Sequence, residues 1–245
     1  MSIPALIARP LRVFTNETPF PYIPVAWHDA QAISGPADGD ALDTWDDGSG
    51  RGADLTKAGS TSALYRDGTT GENINGHACV RIVADTTCYF TYAADILSAA
   101  AAGEVFIVAQ NDADPAASAG RSGFWSFAGS DYSAHHPYTD GKVYECWGRY
   151  NRVDCGNPAD SLASMHIYNV ISAASEWTVN LNTTQLYTTA TNTVSFASSG
   201  VRVGRSSGST YNYAGLFGEL VIFNRALSAG ERTDAYDYLA AKWAP

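Results

Sequence analysis

Alternation with a period of two recurs along the chain and constrains its fold more than any other feature. HACVRIVA, CYFTY, EVFIVAQ, MHIYNVI, EWTVNLN, TQLYTT, SGVRVG and GELVIFN each have the length and residue content of a strand. In EWTVNLN, Trp177, Val179 and Leu181 point one way and Thr178, Asn180 and Asn182 the other. Val201 and Val203 likewise flank Arg202. One apolar and one wet face per strand is the pattern of antiparallel sheets. Many such strands close as a sandwich or a barrel. Composition agrees, since charged residues make up only 16% of the chain, against about 25% in an average domain. At 245 residues and 45% hydrophobic content, the chain can bury a full core.

Two stretches read as helix. AADILSAAAAG is short and ends at Gly103, a predicted C-cap. Near the C-terminus, Ser228 and Glu231 form an S-x-x-E capping box, the serine accepting a free N–H while the glutamate reaches back. Tyr236, Leu239 and Trp243 then repeat at i, i+3 and i+7, an apolar stripe that must pack on the body of the domain. Residues 1–24 hold five prolines, which remove backbone donors and disfavour helix. They read as an extended arm, with residues 25–245 as the folded domain. The apolar side chains of the arm are Ile3, Leu6, Ile7, Leu11, Val13, Phe14 and Phe20. Such an arm is expected to pack on its own domain or on a neighbouring molecule.

The net charge of −10 repels phosphate backbones, which argues against nucleic acid as a partner. No apolar run approaches the 18 or more residues of a membrane span. The N-terminus lacks a basic start, a long apolar stretch and a small-residue cleavage site, so no signal peptide is expected. Cys79, Cys88, Cys146 and Cys155 permit three disulfide pairings that sequence cannot choose between. Without a secretory route, four reduced and buried thiols are the favoured reading.

Candidate sites follow from chemistry. A glycosidase needs two carboxyls at a set separation, yet Glu104, Glu145, Glu176 and Glu219 each stand alone on their strands, and no GxSxG elbow occurs. No catalytic residue is assigned. Asp43, Asp46 and Asp47 cluster with glycines in one loop. Their spacing is not that of an EF-hand, and turn capping accounts for them better than calcium does. No cofactor is therefore expected. Polar segments interleaved with aromatics suit glycan or protein contact, because sugar C–H faces stack on rings while hydroxyls take polar partners. The contact candidates are Tyr132, His135, His136, Tyr138, Trp147, Tyr150, Tyr211 and Tyr213.

The segment GLFGELVIFNRALSAGERTDAYDYLAAKW resembles the closing strand and helix of concanavalin A-like, laminin-G-like jelly-roll domains. AWHDA followed by LDTWDDGSGRGADL resembles the opening of that family, and EWTVNLNTTQLYT its central strand pair, with Asn182-Thr183-Thr184 in place of the usual Asn-Gly turn. The resemblance implies an all-β, two-sheet antiparallel sandwich. It implies that the last strand completes a sheet near the N-terminal strands and that the capped helix covers it. Stand-alone domains of this type resemble bacteriophage structural proteins. That implies a non-enzymatic virion component, a capsid decoration, head-fibre or tail-associated protein assembled in the host cytoplasm. The arm would bind other virion proteins within a homo-oligomer or symmetric assembly, and the sandwich would face cell-surface glycans. The alternatives are a free carbohydrate-binding, lectin-like module and a glycoside hydrolase.

Overall fold

The structure is a computed structural model that describes residues 19–20, 22–69, 71–83, 87–115, 123–127, 134–207 and 212–244. Six predicted arm residues, Ile3, Leu6, Ile7, Leu11, Val13 and Phe14, lie outside the described residues, as do Tyr132 and Tyr211. In chain order the strands are β1 (Ala26–Asp29), β2 (Ala41–Leu42), β3 (Thr44–Trp45), β4 (Leu55–Lys57), β5 (Ala63–Arg66) and β6 (Cys79–Ile82). Next come β7 (Phe90–Tyr92), β8 (Gly103–Asn111), β9 (Trp125–Ser126), β10 (Tyr144–Glu145) and β11 (Val153–Asp154). Then follow β12 (His166–Ala173), β13 (Glu176–Leu181), β14 (Thr184–Thr189), β15 (Arg202–Val203) and β16 (Gly215–Phe223), and α1 (Ala229–Trp243) ends the chain.

All described strand pairs are antiparallel, as alternation predicts. The larger sheet runs β14-β13-β12-β8-β16-β6-β5-β2, and the smaller runs β3-β4-β7-β15-β9. Strand β16 is central. It pairs with β8 along one edge, and β6 and β1 share the other edge end to end. The last strand therefore does meet the first. The two sheets face each other across an apolar core, where His28 of β1 packs against Trp45 and Tyr92 of the smaller sheet. The Asn182-Thr183 turn works without glycine because Asn182 takes the left-handed conformation at φ 52, which asparagine tolerates better than most residues.

Helix α1 begins as predicted. Ser228 accepts the Glu231 N–H, and Glu231 accepts the Ser228 N–H at 2.8 Å. Its buried stripe is Ala235, Leu239 and Trp243. The C-terminal half of the helix is gathered around one buried carboxylate, Glu219. Between Phe217 and Glu219 the register of β16 against β8 slips, so Gly218 is an extra, bulged residue. A bulge re-aims the side chains beyond it. Phe217 packs inward on Phe124 and Tyr213, while Glu219 faces the helix. There it accepts from Trp27 Nε1 (2.6 Å), Tyr238 Oη (3.2 Å), Lys242 Nζ (2.7 Å) and Trp243 Nε1 (2.8 Å). Gly218 also has to be glycine for packing, since a Cβ there would lie 2.7 Å from the Trp243 ring.

Two expectations are corrected. AADILSAAAAG forms turns rather than a helix: Asp95 caps the Leu97 N–H and only Leu97 is fully buried, so no apolar stripe forms. Gly103 is not a C-cap but the first residue of β8, where a Cβ would meet the Trp147 and Phe196 rings below 3.0 Å. Phe20, assigned to an assembly arm, is a core residue. It is buried against Trp27, Phe223 and Tyr238, so it has no surface left for another molecule.

Trp243→Ala removes one donor from buried Glu219 and leaves a cavity over Gly218. It should cost about 3–5 kcal/mol in chemical denaturation. A second test uses pH. Arg225 and the Ser228 N–H hold the Glu231 carboxyl down to about 2. A carboxyl lowered on folding stabilises above its unfolded pKa, and that contribution fades as pH falls through the folded value. The melting-temperature gap between wild type and Glu231→Ala should therefore be full above pH 4.5 and close as pH falls towards 2.

Candidate functional site

Of the six sequence-predicted contact residues that are described, four are buried. Trp147 is fully buried, with its ring edge-on to Phe196 at 4.9 Å. Tyr213 stacks on Phe217 with centroids 4.4 Å apart, and its hydroxyl donates to Asn111 Oδ1. Neither ring can receive a sugar, and both assignments are corrected. Trp147 lies in the turn after β10 and Tyr213 just ahead of β16, and both rings point into the core from these connections.

His135 and His136 are buried too. His136 stacks on Phe124 at 3.9 Å, and its Nε2 lies 3.0 Å from Nε2 of His166. His166 Nδ1 faces the Ser164 carbonyl, which only accepts, so Nδ1 carries the proton of that ring. Its Nε2 is then an acceptor, and His136 donates to it. Burial pushes His166 down to about 4 and His136 well below the ordinary value, with His166 itself a second cause for His136. The pair is a neutral, structural hydrogen bond. Beside it, buried Glu145 accepts from Trp125 Nε1 (3.1 Å), the Cys146 and Trp147 N–H groups (2.8 Å each) and Tyr168 Oη (3.0 Å). Glu145 has no room for a substrate.

At the surface, Tyr150 is 56% exposed and Tyr138 is half-buried beside His135 and Tyr144. Asp47 caps its loop as turn chemistry predicts, accepting from the N–H groups of Trp27, Ser49, Arg51 and Ala53 and from the Ser49 hydroxyl. Asp43 is taken by Ser62 and Lys57. Among the described residues no three His, Cys, Asp or Glu side chains converge as a metal-binding group. All four cysteines are buried and no disulfide joins them; burial pushes the Cys79 thiol up to about 12.

The structure assembles a different site on the helix-bearing face of the large sheet. Arg81 of β6, Leu216 of β16 and Gln110 of β8 are register partners, so they stand side by side on one face. Adjacent strands lie about 4.8 Å apart, which makes this row about 10 Å wide. It floors a cavity of about 340 Å³, walled by Glu72, Asn73, Asp112 and Ala163. That volume falls in the roughly 300–1,000 Å³ range of small-ligand sites. Arg81 donates through both Nη atoms to Asp112, and its Nη1 also meets Glu72 Oε1 at 3.4 Å. Arg66 holds Glu72 from the other side through Nε (3.1 Å) and Nη2 (3.0 Å). Burial pulls the Arg81 guanidinium down, and the Asp112 and Glu72 carboxylates more than reverse this, leaving it raised.

Sequence reasoning missed this site. Its one local signal is an arginine in the middle of the apolar run ACVRIV, but nothing local places Asp112, 31 residues further on, beside it.

No family model matches the chain, and no curated protein matches it. Solved structures do. A mutant GH54 α-L-arabinofuranosidase soaked with 4-nitrophenyl α-L-arabinofuranoside aligns with TM-score 0.57 and 13% identity, over 89% of this chain and 62% of that one. Trypanosoma rangeli sialidase in complex with 2,3-difluoro-KDN aligns with TM-score 0.55 and 14% identity, over 98% of this chain and 36% of that one. The chain thus spans about a third of the sialidase and under two thirds of the arabinofuranosidase. At these identities the likeness establishes the β-sandwich fold. Both neighbours are glycoside hydrolases, and this corrects the expectation of a non-enzymatic virion structural protein of a bacteriophage family.

His28 supplies a test of the buried histidines. Its Nδ1 donates to the Trp45 and Asp46 carbonyls, its Nε2 accepts from Tyr92, and burial lowers it to about 4. The unfolded chain binds protons near 6.5, so the histidine contribution is full above 6.5 and is lost as pH falls towards 4. Glu104, Glu145 and Glu219, pushed up by burial, act with the opposite sign. The comparison must therefore be between variants. Between pH 6.5 and 4, the melting temperature of His28→Asn should fall less steeply than that of wild type.

Proposed function

We propose that the chain is a carbohydrate-active β-sandwich of the glycoside hydrolase type that holds a sugar unit in the Glu72–Arg81–Asp112 cavity. One observation carries this reading: a polar cavity of monosaccharide width, built by register on the rigid central strands of a fold shared with glycoside hydrolases. Sugar recognition needs acceptors and donors at fixed positions around a small apolar floor. Glu72 and Asp112 are the acceptors. Gln110, whose amide makes no hydrogen bond among the described residues, offers both a donor and an acceptor, and Leu216 is the apolar floor.

Hydrolysis at this cavity is a second reading, favoured by a specific geometry. Glu72 and Asp112 both contact Nη1 of Arg81, so their nearest oxygens lie no more than about 6 Å apart, a bound that admits the roughly 5–5.5 Å of a retaining carboxyl pair. Against it, each carboxyl is already ion-paired with an arginine. A general acid works best in surroundings that favour its protonated form, and the geometry supports recognition more directly than cleavage.

Calorimetric titration with mono- and oligosaccharides, alongside a panel of 4-nitrophenyl glycosides, tests both readings. Gln110→Ala and Asp112→Asn should each weaken sugar binding by about tenfold or more, the loss of one or two hydrogen bonds. Turnover that disappears in Glu72→Gln establishes hydrolysis. Binding unchanged in every cavity variant, with the melting temperature preserved, refutes the assignment.

A further inference from the structure

We propose that this cavity selects uncharged sugars and rejects sugars that carry a carboxylate, because its own acidic side chains already occupy its arginine. The inference rests on the reading above and deepens it by naming the substrate class.

Arginine is the side chain that recognises a carboxylate, through parallel N–H groups matching two oxygens. One arginine, Arg81, lines this cavity, and an acidic sugar would ordinarily be the expected ligand. Here its fork is taken. Arg81 grips Asp112 with Nη1 and Nη2, the second at 2.6 Å, and meets Glu72 as well. Arg66 spends Nε and Nη2 on Glu72 and points Nη1 at Asp38, 3.7 Å away. Within the lining one positive group, Arg81, thus faces two negative ones, Glu72 and Asp112. An incoming carboxylate meets a net negative wall and must displace an internal one to reach a guanidinium.

A neutral sugar meets neither obstacle. Its hydroxyls donate to the outward lone pairs of Asp112 and Glu72, which the arginines hold in place. The side chain of Arg81 is only 15% exposed, whereas those of Asp112 and Glu72 are 37% and 41% exposed. The guanidinium is thus screened by its own carboxylates, which stay open to a hydroxyl and repel a like charge. Discrimination of this kind works by making the wrong ligand unfavourable as well as the right one favourable.

The test is calorimetric titration of the full chain with the methyl glycosides of L-arabinose, D-galactose and D-glucose, and with those of N-acetylneuraminic acid and D-glucuronic acid. At least one neutral glycoside should bind at least tenfold more tightly than either acid, with little dependence on salt. In Asp112→Asn the Arg81 fork is released, so the acids should gain tenfold or more in affinity while the neutral sugar loses. Glu72→Gln, which removes the other negative group paired with Arg81, provides the same readout if Asp112→Asn does not fold. An acid that binds wild type as tightly as the neutral sugars overturns the selectivity and leaves sugar binding intact. Binding of none of the five overturns the carbohydrate reading itself.

Discussion

The buried carboxylate of Glu219 is the interaction on which the rest of the structure depends. A carboxylate with no exposed surface costs several kcal/mol in lost hydration unless it is fully paired. Glu219 is paired by four donors, and they come from both ends of the chain. Trp27 belongs to the first strand, and Tyr238, Lys242 and Trp243 to the terminal helix. Lys242 also bridges to Asp29, which doubles the tie between the helix and β1. Closing the sandwich and docking the helix are therefore one event around one side chain.

Two other buried glutamates follow the same logic. Glu104 accepts from Arg232 twice, from the Leu227 N–H and from Asn169, and so fixes the start of the helix to the middle of the large sheet. Glu145 ties the β10 segment to Trp125 and Tyr168. Of the four glutamates that stand alone in the sequence, Glu104, Glu145 and Glu219 are each the hub of a satisfied network that orients aromatic or cationic partners, whereas Glu176 is only half-buried and accepts from the Thr178 hydroxyl. Satisfied networks of this kind specify one arrangement of the core.

The cavity depends on these hubs indirectly. Its floor consists of outward residues on β6, β16 and β8, the same strands whose inner faces form the core. The bulge at Gly218 decides which face each residue of β16 presents: on one side of it Leu216 joins Arg81 and Gln110, and on the other Glu219 turns to the helix. One extra residue separates the cavity-facing half of the strand from the helix-binding half. Arg81, Gln110 and Leu216 of the cavity stand on paired central strands, and Glu72 and Asp112 reach it from the adjoining connections.

The strands were legible in the sequence because a half-buried sheet imposes alternation residue by residue, and the C-terminal helix because its cap is a local hydrogen-bond motif. The Asp47 turn was legible for the same reason: a short side chain closes onto its own backbone. The short apolar stretch before Gly103 misled, since alanine content alone does not give a helix a face to bury. Burial of Trp147 and Tyr213 was not legible, because an aromatic in a polar segment looks the same whether it lines a site or fills a core. Nor was the pairing of Arg81 with Asp112 and Glu72, which depends on strand register and on a loop crossing the sheet edge. Local chemistry determined the elements of this protein. Tertiary register alone decided which charged side chains share a cavity and which became the buried hubs, because contact across strands is a property of pairing that no stretch of sequence contains.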